Sequence, residues 1–171
     1  MHPAIQLVTP GIVISVLAFA KFRAIVSPRA EVELSRHLHL GKGAVVSSFT
    51  KIKAHGALSI GREVSIATGC FISSESGGIE IGEYTMVGPN SCIIGNNYEY
   101  RSLDVPIAKQ KKTSKGISIG SGVWLGAQVT VLDGAKIGDG CIIAPNSVVS
   151  GGIPKNSIAQ GNPAKVIFVR R

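Results

Sequence analysis

The sequence predicts an all-β solenoid of triangular cross-section, and three observations carry that prediction. From Ile119 the chain can be written in sixes, Ile119-Gly-Ser-Gly-Val-Trp through Val149-Ser-Gly-Gly-Ile-Pro, with Ile, Leu or Val at every first place. The second place is usually Gly, Ala or Ser, and the fifth is compact. Neither an α-helix nor a lone alternating strand has a period of six, whereas a coil with short flat sides, each turning one aliphatic residue inward, does. Three sixes complete one turn, so each aliphatic residue stacks on its equivalent one coil away, a burial worth about 1.5–3 kcal/mol. The compact fifth residue also faces the narrow interior, and Gly at the second place is expected to take a positive φ at the corner.

Composition sets the outer bounds. The 171 residues suit one domain; 44% are hydrophobic, only 5% aromatic, and 21 are Gly, so the core is slender and aliphatic rather than bulky. A long thin core commonly recruits other copies of the chain. The net charge of +8 suits an anionic cofactor or the anionic face of a membrane. Lys and Arg are scattered and no aromatic residues interleave with a basic stripe, which argues against nucleic acid. Cys70, Cys92 and Cys141 are odd in number and lack CxxC spacing, so no zinc or other metal site is expected. Cys70 and Cys141 occupy fifth places and read as buried thiols in a reducing, cytoplasmic compartment.

Residues 1–29 ignore the rule of six. Gly11 to Ala20 is an apolar run with Pro10 before it and Lys21 and Arg23 after it. It is too short to cross a bilayer, and no cleavage site follows. A short helix packing on the coil or on a neighbouring subunit is expected, with an interfacial membrane contact through residues 4–23 as the alternative. The repeat covers 30–154, weak near Ala30 and clear from Leu40. It slips at Leu58-Ser59 and again from Gly77 to Glu80, and slips at one corner should stack. Between Gly95 and Gly116 the pattern breaks into a polar, basic loop, and since the coil interior is filled, chemistry is expected on this loop. Residues 155–171 leave the repeat and cap its open end.

The hexads, the loop ending in Val105-Pro-Ile, the Val123-Trp-Leu-Gly element and the Gly161-Asn-Pro-Ala-Lys-Val-Ile tail together resemble hexapeptide-repeat acyltransferases, over Leu40 to about Ile167. The branch they look most like O-acetylates sugars, as in maltose, galactoside, capsular and lipopolysaccharide acetyltransferases. The resemblance implies a left-handed parallel β-helix, a homotrimer, and acetyl-CoA in the groove between neighbouring coils. It places Trp124, Ala127, Pro145, Ser150 and Gly151 along the cofactor and Lys165 near its phosphates, where a cation meets a polyanion. Asn90 matches the residue that faces the acceptor sugar, although a plain corner residue fits it equally.

One element departs from the family pattern. Sugar O-acetylation needs a base for the attacking hydroxyl, and the resemblance puts a His at the start of the loop. Here the window is Gly95-Asn96-Asn97-Tyr98, with Asn97 the nearest match and Asn96 next. Asn cannot accept a proton at neutral pH. Three explanations stand open: a deliberate His-to-Asn replacement, use of Tyr98, Glu99 or a donated residue, or a scaffold that has lost catalysis. His2, His37, His39 and His55 lie elsewhere in the sequence and read as ordinary surface or packing histidines. The expected activity is acetyl transfer from acetyl-CoA to a sugar hydroxyl of a cell-surface polysaccharide or its lipid-linked precursor. N-acetylation of an amino-sugar or small amine is the rival.

Overall fold

A computed structural model describes residues 10–171; residues 1–9, including the start of the expected membrane-contact segment, lie outside them. The chain winds into stacked three-sided coils, about seven in all. Face I stacks Ile25–Val26, Val45–Val46, Ser65–Ile66, Met86–Val87, Trp124–Leu125, Ile142–Ile143 and Ser157–Gln160. Face II stacks Glu31–Val32, Lys51–Ala54, Phe71–Ser74, Cys92–Ile94, Thr130–Leu132 and Val148–Val149. Face III stacks Leu38–Leu40, Leu58–Ile60, Ile79–Ile81, Ile117–Ile119, Lys136–Ile137 and Gly152–Ile153. Every pairing between successive coils is parallel and in register, for example Trp124 on Ile142 and Leu125 on Ile143.

The first-place aliphatics fill the interior: Ile119, Leu125, Val131, Ile137, Ile143 and Val149 are all buried. The fifth-place column Thr50, Cys70, Ser91, Val129 and Ser147 is buried beside them. Its hydroxyls are satisfied within the prism, since Thr50 Oγ1 donates to the Ala67 carbonyl at 2.8 Å and Ser91 Oγ to that of Gly126 at 3.2 Å. Burial therefore costs these polar groups little. Desolvation pushes the Cys70 and Cys141 thiols above their ordinary value.

The glycine expectation needs correction. Left-handed backbone falls at the fourth place, at Gly43, Glu63, Tyr84, Gly122, Gly140 and Asn156 on one corner and at Phe49, Gly69, Asn90, Gln128 and Asn146 on the next. The second-place glycines serve close approach instead. A Cβ on Gly61 would stand 2.7 Å from the Glu83 nitrogen one coil away, and a Cβ on Gly126 would stand 2.7 Å from that of Pro145. Backbone rests on backbone there, with no room for a side chain.

Parallel stacking runs from Ile25, ahead of the weak signal at Ala30, to Ala159, beyond residue 154. The first coil is faint in the sequence because Ser27-Pro28 and Ser35 to His37 obscure its period. The helix α1, Gly11–Phe22, covers the N-terminal end through Ile14 and Ala18. The strand Lys165–Val169 turns back antiparallel on Ser157–Gln160 and closes the other end. The two slips stack as expected, Leu58 on Ile79, at the II–III corner from which the loop also leaves.

Candidate functional site

The II–III edge gathers the polar chemistry. The loop leaves it after Ile94 and returns at Ile117, and its stem is a short antiparallel ribbon of Asn97–Tyr98 on Lys112–Thr113. Ser114 Oγ donates to the Gly95 carbonyl at 2.6 Å and accepts from the Gly77 nitrogen at 2.8 Å. The Asp133 carboxylate accepts from the Lys115 and Gly116 nitrogens at 2.8 to 2.9 Å, which anchors the returning chain to the coil below. Farther out, Gln110 Nε2 donates to the Ser102 and Val105 carbonyls, so the loop tip is folded on itself.

Asn96 is half-buried at the loop base, and Asn97, Tyr98 and Glu99 are exposed beyond it. Asn97 Oδ1 accepts the Tyr98 backbone N–H at 2.8 Å. Ser150 and Gly151 stand on this same edge two coils farther along, with nothing within 4 Å of a Cβ added at Gly151 or Gly152. That backbone is open to an extended ligand. Trp124, Ala127, Pro145 and Asn90 lie elsewhere: Trp124 on face I, half exposed, and the other three on the I–II corner. Lys165 is exposed on the final strand of face I, paired with Gln160. A single chain thus brings Asn96, Asn97, Ser150 and Gly151 to one edge and leaves Trp124, Ala127, Pro145 and Lys165 on another. Asn90, in left-handed conformation, occupies the same stacked corner position as Gln128 and Asn146.

Sequence reasoning missed two features. His55 sits on the II–III edge, with Nδ1 3.3 Å from Glu75 and Nε2 3.5 Å from Glu33. Lys112, on the loop's return strand, reaches the same Glu75 oxygen at 3.7 Å and lies 5.8 Å from the Tyr98 ring centroid. Pairing His55 with the loop requires the stacking of coils, which no local motif displays. The second feature is a groove on face III, about 530 Å³, edged by His37, His39, Glu80, Lys115 and Lys136. It continues past Ser118 and Lys136 to Gly152 and Lys155. The outward residues of strands such as Leu38-His39-Leu40 and Ile79-Glu80-Ile81 line it, and their period-two alternation was its legible trace. No cluster of metal-ligating side chains occurs among the described residues.

A parallel prism of hexads with one long loop on an edge is a hexapeptide-repeat solenoid. Residues 116–151 match the family model described as bacterial transferase hexapeptide (six repeats). A protein of Mycobacterium tuberculosis named as a probable acetyltransferase is 33% identical over 143 residues, 83% of this chain and 45% of that one. WbbJ of Escherichia coli, named for lipopolysaccharide-biosynthesis O-acetyl transfer, is 34% identical over 122 residues, 71% of this chain and 55% of its own. The chain therefore spans about half the length of these curated relatives. Among solved structures, the N-acyltransferase AntD of Bacillus cereus, in complex with dTDP and 3-hydroxybutyryl-CoA, shares the fold at a TM-score of 0.80. The overlap covers 91% of this chain and 87% of that one at 17% identity. PerB of Caulobacter crescentus, in complex with CoA and GDP-perosamine, superposes at 0.66 over 86% of this chain and 58% of its own, with 25% identity.

Proposed function

We propose that this protein is a homotrimeric acetyltransferase that moves an acetyl group from acetyl-CoA to a hydroxyl of a sugar destined for cell-surface polysaccharide or lipopolysaccharide. One observation carries the reading: the loop bearing Asn96 and Asn97 leaves the prism from the same edge on which the open Gly151–Gly152 backbone lies. The residues present fit the cofactor. An extended pantetheine arm needs a groove without side chains, and its phosphates need cations, which Lys136 and Lys155 supply along face III. When bound, acetyl-CoA supplies a thioester whose acetyl carbon exchanges its C–S bond for a C–O bond to the acceptor, the hydroxyl proton ending on the departing thiol.

The second edge enters through symmetry. Face I exposes Ile25, Met86 and Trp124 along its length, with Phe49 and Tyr84 at the flanking corners. A threefold arrangement that covers this apolar column would set Trp124, Ala127, Pro145 and Lys165 of one copy opposite Ser150 and Gly151 of another. Asn90, Tyr98 and Glu99 would then border the acceptor, and His55 is the histidine on the loop's own edge. The reaction is assigned to the cytoplasm, with the helix-bearing end available to the inner face of the membrane. With Asn in the window, catalysis rests on holding thioester and hydroxyl together, which supplies several kcal/mol without a base.

The test has two readouts. Titration calorimetry with CoA should show one site per chain, and absence of binding at millimolar CoA removes the acyltransferase reading. Labelled acetyl-CoA offered to a panel of sugars should give a product cleaved by mild alkali, as an ester is. A product that survives alkali assigns the protein instead to N-acetylation of an amino-sugar, the reading favoured by the fold it shares with AntD and PerB, whose acceptors carry amino groups by their names.

A further inference from the structure

We infer that the N-terminal end of the prism docks on an anionic lipid bilayer, with the outer side of α1 lying among the headgroups. A helix that only plugs the coil needs one apolar side. This one is apolar all round: Ile14 and Ala18 are buried against the coil, whereas Ile12, Val16 and Phe19 are 68%, 61% and 52% exposed on the other side. Val13 and Leu17 widen the same patch. Twelve residues span about 18 Å, too little to cross a bilayer and enough to lie along one.

Charge selects the occupant. Lys21, Arg23 and Arg29 are exposed around this end, and no Asp or Glu precedes Glu31 in the whole sequence. The two carboxylates of the first coil are turned to the next one, Glu31 with Lys51 at 2.6 Å and Glu33 with His55 at 3.5 Å. The Lys21 ammonium lies 4.7 Å from the Phe22 ring centroid and the Arg23 guanidinium 5.5 Å from that of Phe19. Apolar side chains at the centre, rings at the margin and cations beside them match the layers of a bilayer interface with acidic headgroups. An apolar groove on a protein partner would meet the first of these and has no use for a rim of one sign. In the trimer proposed above, a threefold axis carries all three copies of α1 to the same end, so three weak contacts act as one strong one; the single-chain contact does not depend on it.

Co-sedimentation of the full chain with vesicles tests this. Vesicles holding roughly a third phosphatidylglycerol in phosphatidylcholine should pellet the protein at low salt, and pure phosphatidylcholine should not. Val16→Glu combined with Leu17→Glu should lower the bound fraction at least about tenfold, and Lys21→Glu with Arg23→Glu should abolish the preference for acidic lipid. All four positions are exposed, and an unchanged melting curve would show that the variants fold. Equal binding to both vesicle types, no binding to either, or a glutamate variant whose only change is a smaller mass in sedimentation equilibrium would overturn the proposal. The last outcome would assign the patch to a second copy. CoA titration of the same variants keeps this result separate from the acetyltransferase reading, since the docking surface lies outside the face III groove.

Discussion

Gly126 and Gly122 look alike in sequence and do different work. At Gly126 an added Cβ meets the Pro145 nitrogen at 2.7 Å, whereas at Gly122 nothing lies within 4 Å and only the φ of 63° resists a side chain. Gly126→Ala should therefore cost about 2–3 kcal/mol by forcing coils apart, and Gly122→Ala about 1 kcal/mol; paired denaturant melts would check the order. The buried thiols give a pH signature. In the unfolded chain Cys70 and Cys141 ionise near 9.0, and in the folded chain only at higher pH. Their contribution is full below 9.0 and is lost as pH rises through the folded value, so the melting temperature should fall on the alkaline side. A Cys70→Ala, Cys141→Ala variant should flatten that decline. At the loop, Asn97→His would supply a base to the proposed transfer, and its rate should rise about 10²–10⁴-fold. No rise at either 96 or 97 would point to a scaffold.

The elements were legible in proportion to how local their signal is. First-place aliphatics from Leu40 onward announce themselves every six residues, and all those named from Ile119 on are buried. The loop was visible as the place where that beat stops. What stayed hidden was what stacking alone creates: the His55, Glu75 and Lys112 cluster, the face III groove, and the division of the proposed cofactor residues between two edges. The loop's stem makes a prediction at this scale. Asp133 holds two backbone donors at the point of return, and bonds to a charged acceptor are worth about 1.5–3 kcal/mol. Asp133→Ala should lose about that much stability and speed proteolytic cleavage between residues 95 and 116, read by timed digestion and mass spectrometry.

At the scale of the whole molecule, the proposed site, drawn from two edges of neighbouring copies, predicts complementation. A variant crippled on one edge, Ala127→Trp, and one crippled on the other, Gly151→Trp, should each lose CoA binding. Refolded together in equal amounts, they should recover about a quarter of the wild-type sites, because neighbouring copies then supply one intact edge each. No recovery would mean that each chain builds its site alone. The experiment reads stoichiometry by calorimetry and needs no knowledge of the acceptor.

The glycine stacks that seat backbone on backbone also decide where this architecture can tolerate novelty. From Leu40 on, two of the three corners keep one length and a left-handed fourth residue in every coil, so an extra residue there would throw every later coil out of phase. The remaining corner already absorbs irregular lengths at 55–57, 75–78 and 95–116. New recognition elements can be spliced into that seam, one storey at a time, while the tower above and below keeps its pitch.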